Sequence, residues 1–388
     1  MRLDRRTLTI GGYFAAFAGL GLAAAIVGPT LPSLATIAGV GLAQIGLLVL
    51  ARSLGEMIGC LLAGIIVDHG HGRSVLTLSV LVMAVCLALV PFFHSLVVFA
   101  GIFLVLGAAQ GAVHTGGNTL LVWNRPDRAH SLLSILHFSF GAGMVVAPLL
   151  VVWFLPLRSD GLFIYWFLAV ALLPIAFVLS VSEKPMAPQS KKAVKQQASS
   201  RVAVFWAIAL FFFYVGAEIN MGAWLYTYAV QAAGFSPAMA AYLLTTFWSG
   251  FMVGRLLSIF GSALINPKQY VSGGLLAGAL SAIGMIVFST QAGPALWMSV
   301  AMLGLSMAAI FPQAFAYASE NLGLSGRRTA SLLIAGSFGA MLMPWLTGVL
   351  LESVSPQALP AAVGVALALA IVSFGMMLRA SQQAPSIS

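Results

Sequence analysis

Charged side chains are scarce in this chain. Asp, Glu, Lys and Arg make up 7% of the 388 residues, against about 25% in a soluble domain. No water-soluble fold can be built from such a surface. Cysteine is nearly absent too: Cys60 and Cys86 both lie in apolar runs, and they offer neither a disulfide framework nor metal-ligand spacing. Catalytic signatures are missing as well. There is no nucleophile–base set, no phosphate loop and no His/Cys metal cluster, so neither an enzyme nor a cofactor is expected. Long polar segments are lacking apart from one, which leaves little loop surface for a receptor or scaffold.

What is present is hydrophobic: 61% of residues. Apolar runs of about 20 residues recur from end to end, and each is long enough to cross the hydrocarbon core as a helix. A barrel would show short alternating strands instead. Twelve spans are expected, at 9–33, 43–67, 74–93, 96–122, 130–156, 161–181, 202–231, 238–264, 269–289, 294–319, 327–351 and 358–379. The fold class is an all-α membrane protein.

The net charge of +9 reflects topology. With the N-terminus in the cytoplasm, Arg158 lies outside, Arg52 and Arg255 lie within spans, and the remaining 15 of 18 basic residues (18 − 3) fall on cytoplasmic segments. This is the positive-inside bias, and it argues against nucleic-acid binding. Arg2, Arg5 and Arg6 precede the first span, which is too long for a signal peptide and is expected to persist as a helix. Both termini are expected in the cytoplasm. Residues 183–200 form a polar, basic linker, dividing the chain into bundles at 1–182 and 201–388.

The halves echo one another. Gly55 and Gly59 match Gly250 and Gly254 at an offset of 195 (250 − 55 and 254 − 59). Leu106-Gly107 matches Leu303-Gly304 at 197, and Ser139-Phe140-Gly141 matches Ser337-Phe338-Gly339 at 198. Two six-helix repeats with a site between them near the midplane are expected.

Polar residues inside spans are the candidate functional groups, because each is expensive in lipid. Glu218 sits in the middle of the seventh span, followed by Asn220 and Trp224. It is a candidate proton carrier or a buried partner of a neighbouring helix. On a regular helix Glu218 and Asn220 stand about 200° apart. Both can face a cavity only if the helix breaks near Gly216 or Gly222; otherwise Asn220 and Trp224 share a face and Glu218 looks elsewhere. In the fourth span Gln110, His114 and Asn118 form one stripe at i, i+4 and i+8, either interhelical glue or cavity lining. Gln313 in the tenth span is a further hydrogen-bonding candidate, with Trp224 as an apolar wall. Arg52 and Glu56, four apart in the second span, form an ion pair or a gate. Asp68 and Arg73 on a tight turn suit a charge latch, and Pro29 and Pro32 are expected to kink or end the first span. Arg255 and His137 lie at similar depths; Arg255 is expected in an inner gate or a structural charge pair, and His137 in gating or in a structural role.

Several stretches carry a family resemblance: GPTLPSL (28–34), the G-x-x-x-D turn ending at Asp68, HTGGN with Trp123 (114–123), HFSFGAGMVVAPL (137–149), YVGAEINMGAWLYTYAV (214–230), FWSGFMVGRLLS (247–258), IFPQAFAYA (310–318) and IAGSFGAMLMPWLTG (334–348). Together with twelve spans and a basic central loop, the chain resembles the major facilitator superfamily. Within it, the chain is similar to the branch of fucose–proton symporters and sodium-dependent glucose transporters. The resemblance implies a sugar carrier of the bacterial inner membrane working as a monomer. Two departures stand out. Asp68 and Gly72 are four apart where the superfamily turn has three. His114 stands where the branch has an acidic residue, in the span where ion coupling is expected. Imidazole titrates near neutral pH and is a poor sodium ligand, so the expected coupling ion is the proton, if there is coupling at all. The alternative is a proton-driven multidrug or metabolite exporter of the same fold.

Overall fold

The structure, a computed structural model, describes residues 5–154, 156–157, 162–183, 201–261, 265–289, 293–322 and 326–382. Among them every regular element is a helix. The expected linker lies outside the described residues beyond Glu183. The chain divides into two compact units, Met1–Lys191 and Lys192–Ser388.

The first unit holds α1 (Arg5–Ala25), α2 (Val27–Ala38), α3 (Leu42–Ile45), α4 (Leu47–Ile66), α5 (Gly72–Leu89), α6 (Leu96–Asn124), α7 (Ala129–Phe154) and α8 (Phe163–Ser180). The second holds α9 (Arg201–Gln231), α10 (Pro237–Gly261), α11 (Pro267–Val287), α12 (Pro294–Met307), α13 (Ile310–Leu322), α14 (Gly326–Ser353) and α15 (Ala358–Gln382). Each unit makes six crossings, because α1–α2, α3–α4 and α12–α13 are single spans with local breaks.

Proline and glycine set those breaks. Pro29 has no N–H for the Ala25 carbonyl, and the first span breaks at Ile26. Beside the break Thr30 Oγ1 lies 2.8 Å from the Ile26 carbonyl and 2.7 Å from the Tyr165 hydroxyl, which ties the kink to α8. The span is therefore kinked rather than ended there, and it runs on to Ala38, past the expected end at residue 33. Residues 42–92 read as one apolar helical stretch of 51 residues, which would be about 75 Å long at 1.5 Å per residue, more than two bilayer cores. Gly70, at φ 84°, interrupts it and makes two crossings, α4 and α5.

Without a hydrophobic force between helices in lipid, close backbone approach holds them together. In the first unit Gly55 and Gly59 of α4 lie against the carbonyl oxygens of Leu104 and Ala108 of α6. Gly107 and Gly111 of α6 lie in turn against those of Arg52 and Glu56. In the second unit Gly250 and Gly254 of α10 meet the carbonyls of Ala301 and Leu305, and Gly304 meets that of Phe247. The partners carry the same offsets: Leu104 to Ala301 is 197 (301 − 104), and Arg52 to Phe247 is 195 (247 − 52). The two repeats thus use one helix crossing twice.

Candidate functional site

In the first unit the α4–α6 crossing places its polar groups. Gly107 sits on the backbone of Arg52, so the two helices touch where the guanidinium leaves α4. Arg52 is buried, and its Nη1 donates to Gln110 Oε1 at 2.9 Å. Glu56 Oε2 lies farther off at 3.8 Å, with 41% of its side chain exposed. The expected Arg52–Glu56 contact is therefore present but secondary, and the nearer partner of Arg52 is Gln110. Arg52 Nε and Gln110 Nε2 are buried donors with no partner among the described residues.

The α6 stripe divides. Gln110 is 1% exposed and faces α4. His114 faces α1 and α7: its ring centroid lies 5.8 Å from that of Phe17 and 6.1 Å from that of His137. Asn118 turns back on its own helix and donates to the His114 carbonyl at 2.8 Å. Arg73 Nη1 donates to the Ser182 carbonyl at 3.1 Å, just past the end of α8, where a cation suits the helix dipole. Asp68 is exposed on the turn around Gly70.

In the second unit α9 is continuous over 31 residues. The expected break near Gly216 or Gly222 does not occur, and both glycines serve packing: a Cβ at Gly216 would meet Met343 Sδ at 2.7 Å, and one at Gly222 would meet Trp248 at 2.8 Å. On this regular helix Asn220 and Trp224 share the face toward α14. Asn220 Nδ2 donates to Thr347 Oγ1 at 2.9 Å, and Trp224 Nε1 donates to the Pro344 carbonyl at 2.7 Å. Trp224 is fully buried by these contacts, so no wall for a sugar ring is open at that position in this structure. Asn220 Oδ1 is buried without a hydrogen-bond partner among the described residues.

Glu218 looks the other way, with its own set of partners. Its Oε2 accepts a hydrogen bond from the Tyr214 hydroxyl, 2.8 Å away and one turn earlier. Arg255 of α10 acts on it electrostatically. The Arg255 guanidinium carbon rests 4.6 Å from the Phe251 ring centroid, a cation–π position. Gln313 is half-buried on α13. The structure therefore gathers Tyr214, Glu218 and Arg255, and separately Asn220, Trp224, Pro344 and Thr347. Tyr214 was legible as the i−4 neighbour of Glu218; Thr347 and Pro344 carried no sequence signal.

The Major Facilitator Superfamily profile matches residues 12–335. Among curated proteins, the sodium-dependent glucose transporter 1A of Mus musculus is 27% identical over 375 residues, covering 87% of this chain and 88% of that protein. The glucose/galactose transporter of Brucella abortus biovar 1 (strain 9-941) is 28% identical over 278 residues, covering 66% of each. Among solved structures, the nucleoside transporter NupG superposes with a TM-score of 0.75 at 14% identity, covering 96% of this chain and 99% of that one. A variant of the E. coli fucose:proton symporter FucP gives 0.64 at 17% identity, with the same coverage. The fold, the paired glycine crossings and the sequence match agree: this chain belongs to the Major Facilitator Superfamily.

Proposed function

We propose that this chain is a secondary transporter that moves a small polar solute, a sugar by class, by alternating access, with the proton as coupling ion. The observation that carries the reading is Glu218: a carboxyl group midway along a membrane-spanning helix, bonded to Tyr214 and in the field of Arg255. Such a group in lipid marks an ion or substrate path. The sugar class is supported by the relatives' names, glucose and glucose/galactose transporters.

In this reading Glu218 and His114 carry protons. Gln110, Asn118 and Asn220, once their present partners release them, hydrogen-bond the solute together with Gln313, and Trp224 stacks on it once uncovered. Arg52, Glu56, Asp68, Arg73, His137 and Arg255 hold or release the helices between states. The protein acts as a monomer in a bacterial inner membrane with both termini cytoplasmic. A second reading, sodium coupling, is favoured by the name of the glucose transporter relatives. Against it, hard cations take oxygen ligands, and His114 offers nitrogen.

Uptake of labelled hexoses and deoxyhexoses into proteoliposomes, under separate proton and sodium gradients, tests this. Saturable uptake driven by an inward proton gradient, with uphill accumulation lost in Glu218→Gln, is expected. Sodium-driven uptake would replace the coupling ion. No hexose uptake under either gradient would end the sugar reading and turn attention to export.

A further inference from the structure

Tyr214 is 1% exposed, and its hydroxyl oxygen touches two acceptors. It lies 2.8 Å from Glu218 Oε2 and 2.7 Å from the Met307 carbonyl oxygen. A phenol has one proton and can donate to only one of them. With Glu218 ionised, the charge-assisted bond takes that proton. The Met307 carbonyl then faces an oxygen at 2.7 Å with no proton between them. With Glu218 protonated, the carboxyl O–H donates to the phenol oxygen and the phenol O–H donates to Met307. Both short contacts are then hydrogen bonds.

Met307 is the last residue of α12. The chain turns at Ala308 and Ala309 before α13, because Pro312 has no N–H for the Ala308 carbonyl. Tyr214 therefore holds α9 to the break in the tenth span. Met307 is also the repeat equivalent of Gln110 (307 − 110 = 197, the offset of Gly107 to Gly304). Each repeat thus anchors a buried polar group at this position: Arg52 on Gln110, and Tyr214 on Met307. Two titratable or charged groups act on Glu218, Tyr214 of its own helix and Arg255 of α10. Arg255 Nε is buried without a hydrogen-bond partner among the described residues and is available to the carboxylate form.

We propose that Tyr214 is a positioning residue that couples the protonation of Glu218 to the break between α12 and α13. When Glu218 is protonated, Tyr214 clamps Met307. When it is ionised, the tyrosyl O–H turns to donate to the carboxylate and the clamp opens. This deepens the reading of Glu218 as proton carrier and rests on it, but its test needs no sugar.

The experiment uses the purified full chain over a range of pH. Infrared difference spectra, with Glu218→Gln as reference, follow the Glu218 carboxyl band. Hydrogen–deuterium exchange, corrected for its intrinsic pH dependence, follows peptides covering 303–315. In the native protein, protection of 303–315 is expected to fall as the carboxyl band disappears. Glu218→Gln cannot ionise, and its amide can donate to the phenol, so protection should stay high at every pH. Tyr214→Phe should show low, pH-independent protection and a shifted carboxyl band. Protection that ignores the band in the native protein, or that falls with pH in Glu218→Gln as in the native protein, would overturn the proposal. Absence of hexose transport with these results intact would overturn the sugar reading alone.

Discussion

Gly59→Ala tests the helix crossing on which the first unit is built. A Cβ at this position would fall on the Ala108 carbonyl, with the carbonyl carbon at 2.6 Å and Cα at 2.7 Å. The carbonyl oxygen lies closer still, and ordinary contact begins only at 3.4 Å, so α4 and α6 must move apart to admit the methyl group. The obstacle is backbone, which cannot rotate aside. Overpacking of this kind costs about 1–3 kcal/mol. A matched control exists in Gly101, on the same α6, where a Cβ meets nothing within 4 Å. There alanine should gain about 0.5–1 kcal/mol of helix propensity. Thermal unfolding in detergent, followed by reaction of the buried Cys86 thiol, reads both variants. Gly59→Ala should melt below the native protein, and Gly101→Ala at or above it. If Gly59→Ala proves as stable as Gly101→Ala, the close crossing is not what holds α4 to α6. The same logic reaches the site, since Gly107 rests on the Arg52 backbone. Parting these helices would also pull Arg52 from Gln110.

Two further outcomes follow from single groups. Gln110→Leu removes the 2.9 Å acceptor of a buried guanidinium and should lower stability by about 1.5–3 kcal/mol, the range for hydrogen bonds to charged groups; an unchanged melting point would make Glu56 the partner that matters. Gly70→Ala meets no atom within 4 Å, but its φ of 84° is left-handed, so about 1–2 kcal/mol of backbone strain is expected. Gly70→Asn should lose less, and equal losses would point to packing instead.

The spans were legible because a bilayer core demands long apolar runs, and few other constraints act on them. The glycine offsets were legible for the same reason: close helix contact in lipid leaves only small residues at the crossing. The site was less so. The i, i+4 spacing of Arg52 and Glu56 is visible in sequence, yet the nearer partner Gln110 is 58 residues away. Asn220 and Trp224 read as substrate groups because they are polar or aromatic within a span. Their hydrogen bonds to Thr347 and Pro344, 127 and 120 residues on, depend on how α14 lies against α9. Tyr214 was within reach of the spacing rule applied to Arg52 and Glu56. Its second contact, a backbone carbonyl freed at a helix break, has no residue type to announce it.

The most direct measurement is proton movement evoked by sugar. Proteoliposomes in weak buffer, with no imposed gradient, receive a transported hexose while external pH is recorded. Alkalinisation outside that saturates with hexose and is absent in Glu218→Gln is expected. Saturable hexose entry without any pH change, or the same change in Glu218→Gln, would contradict it.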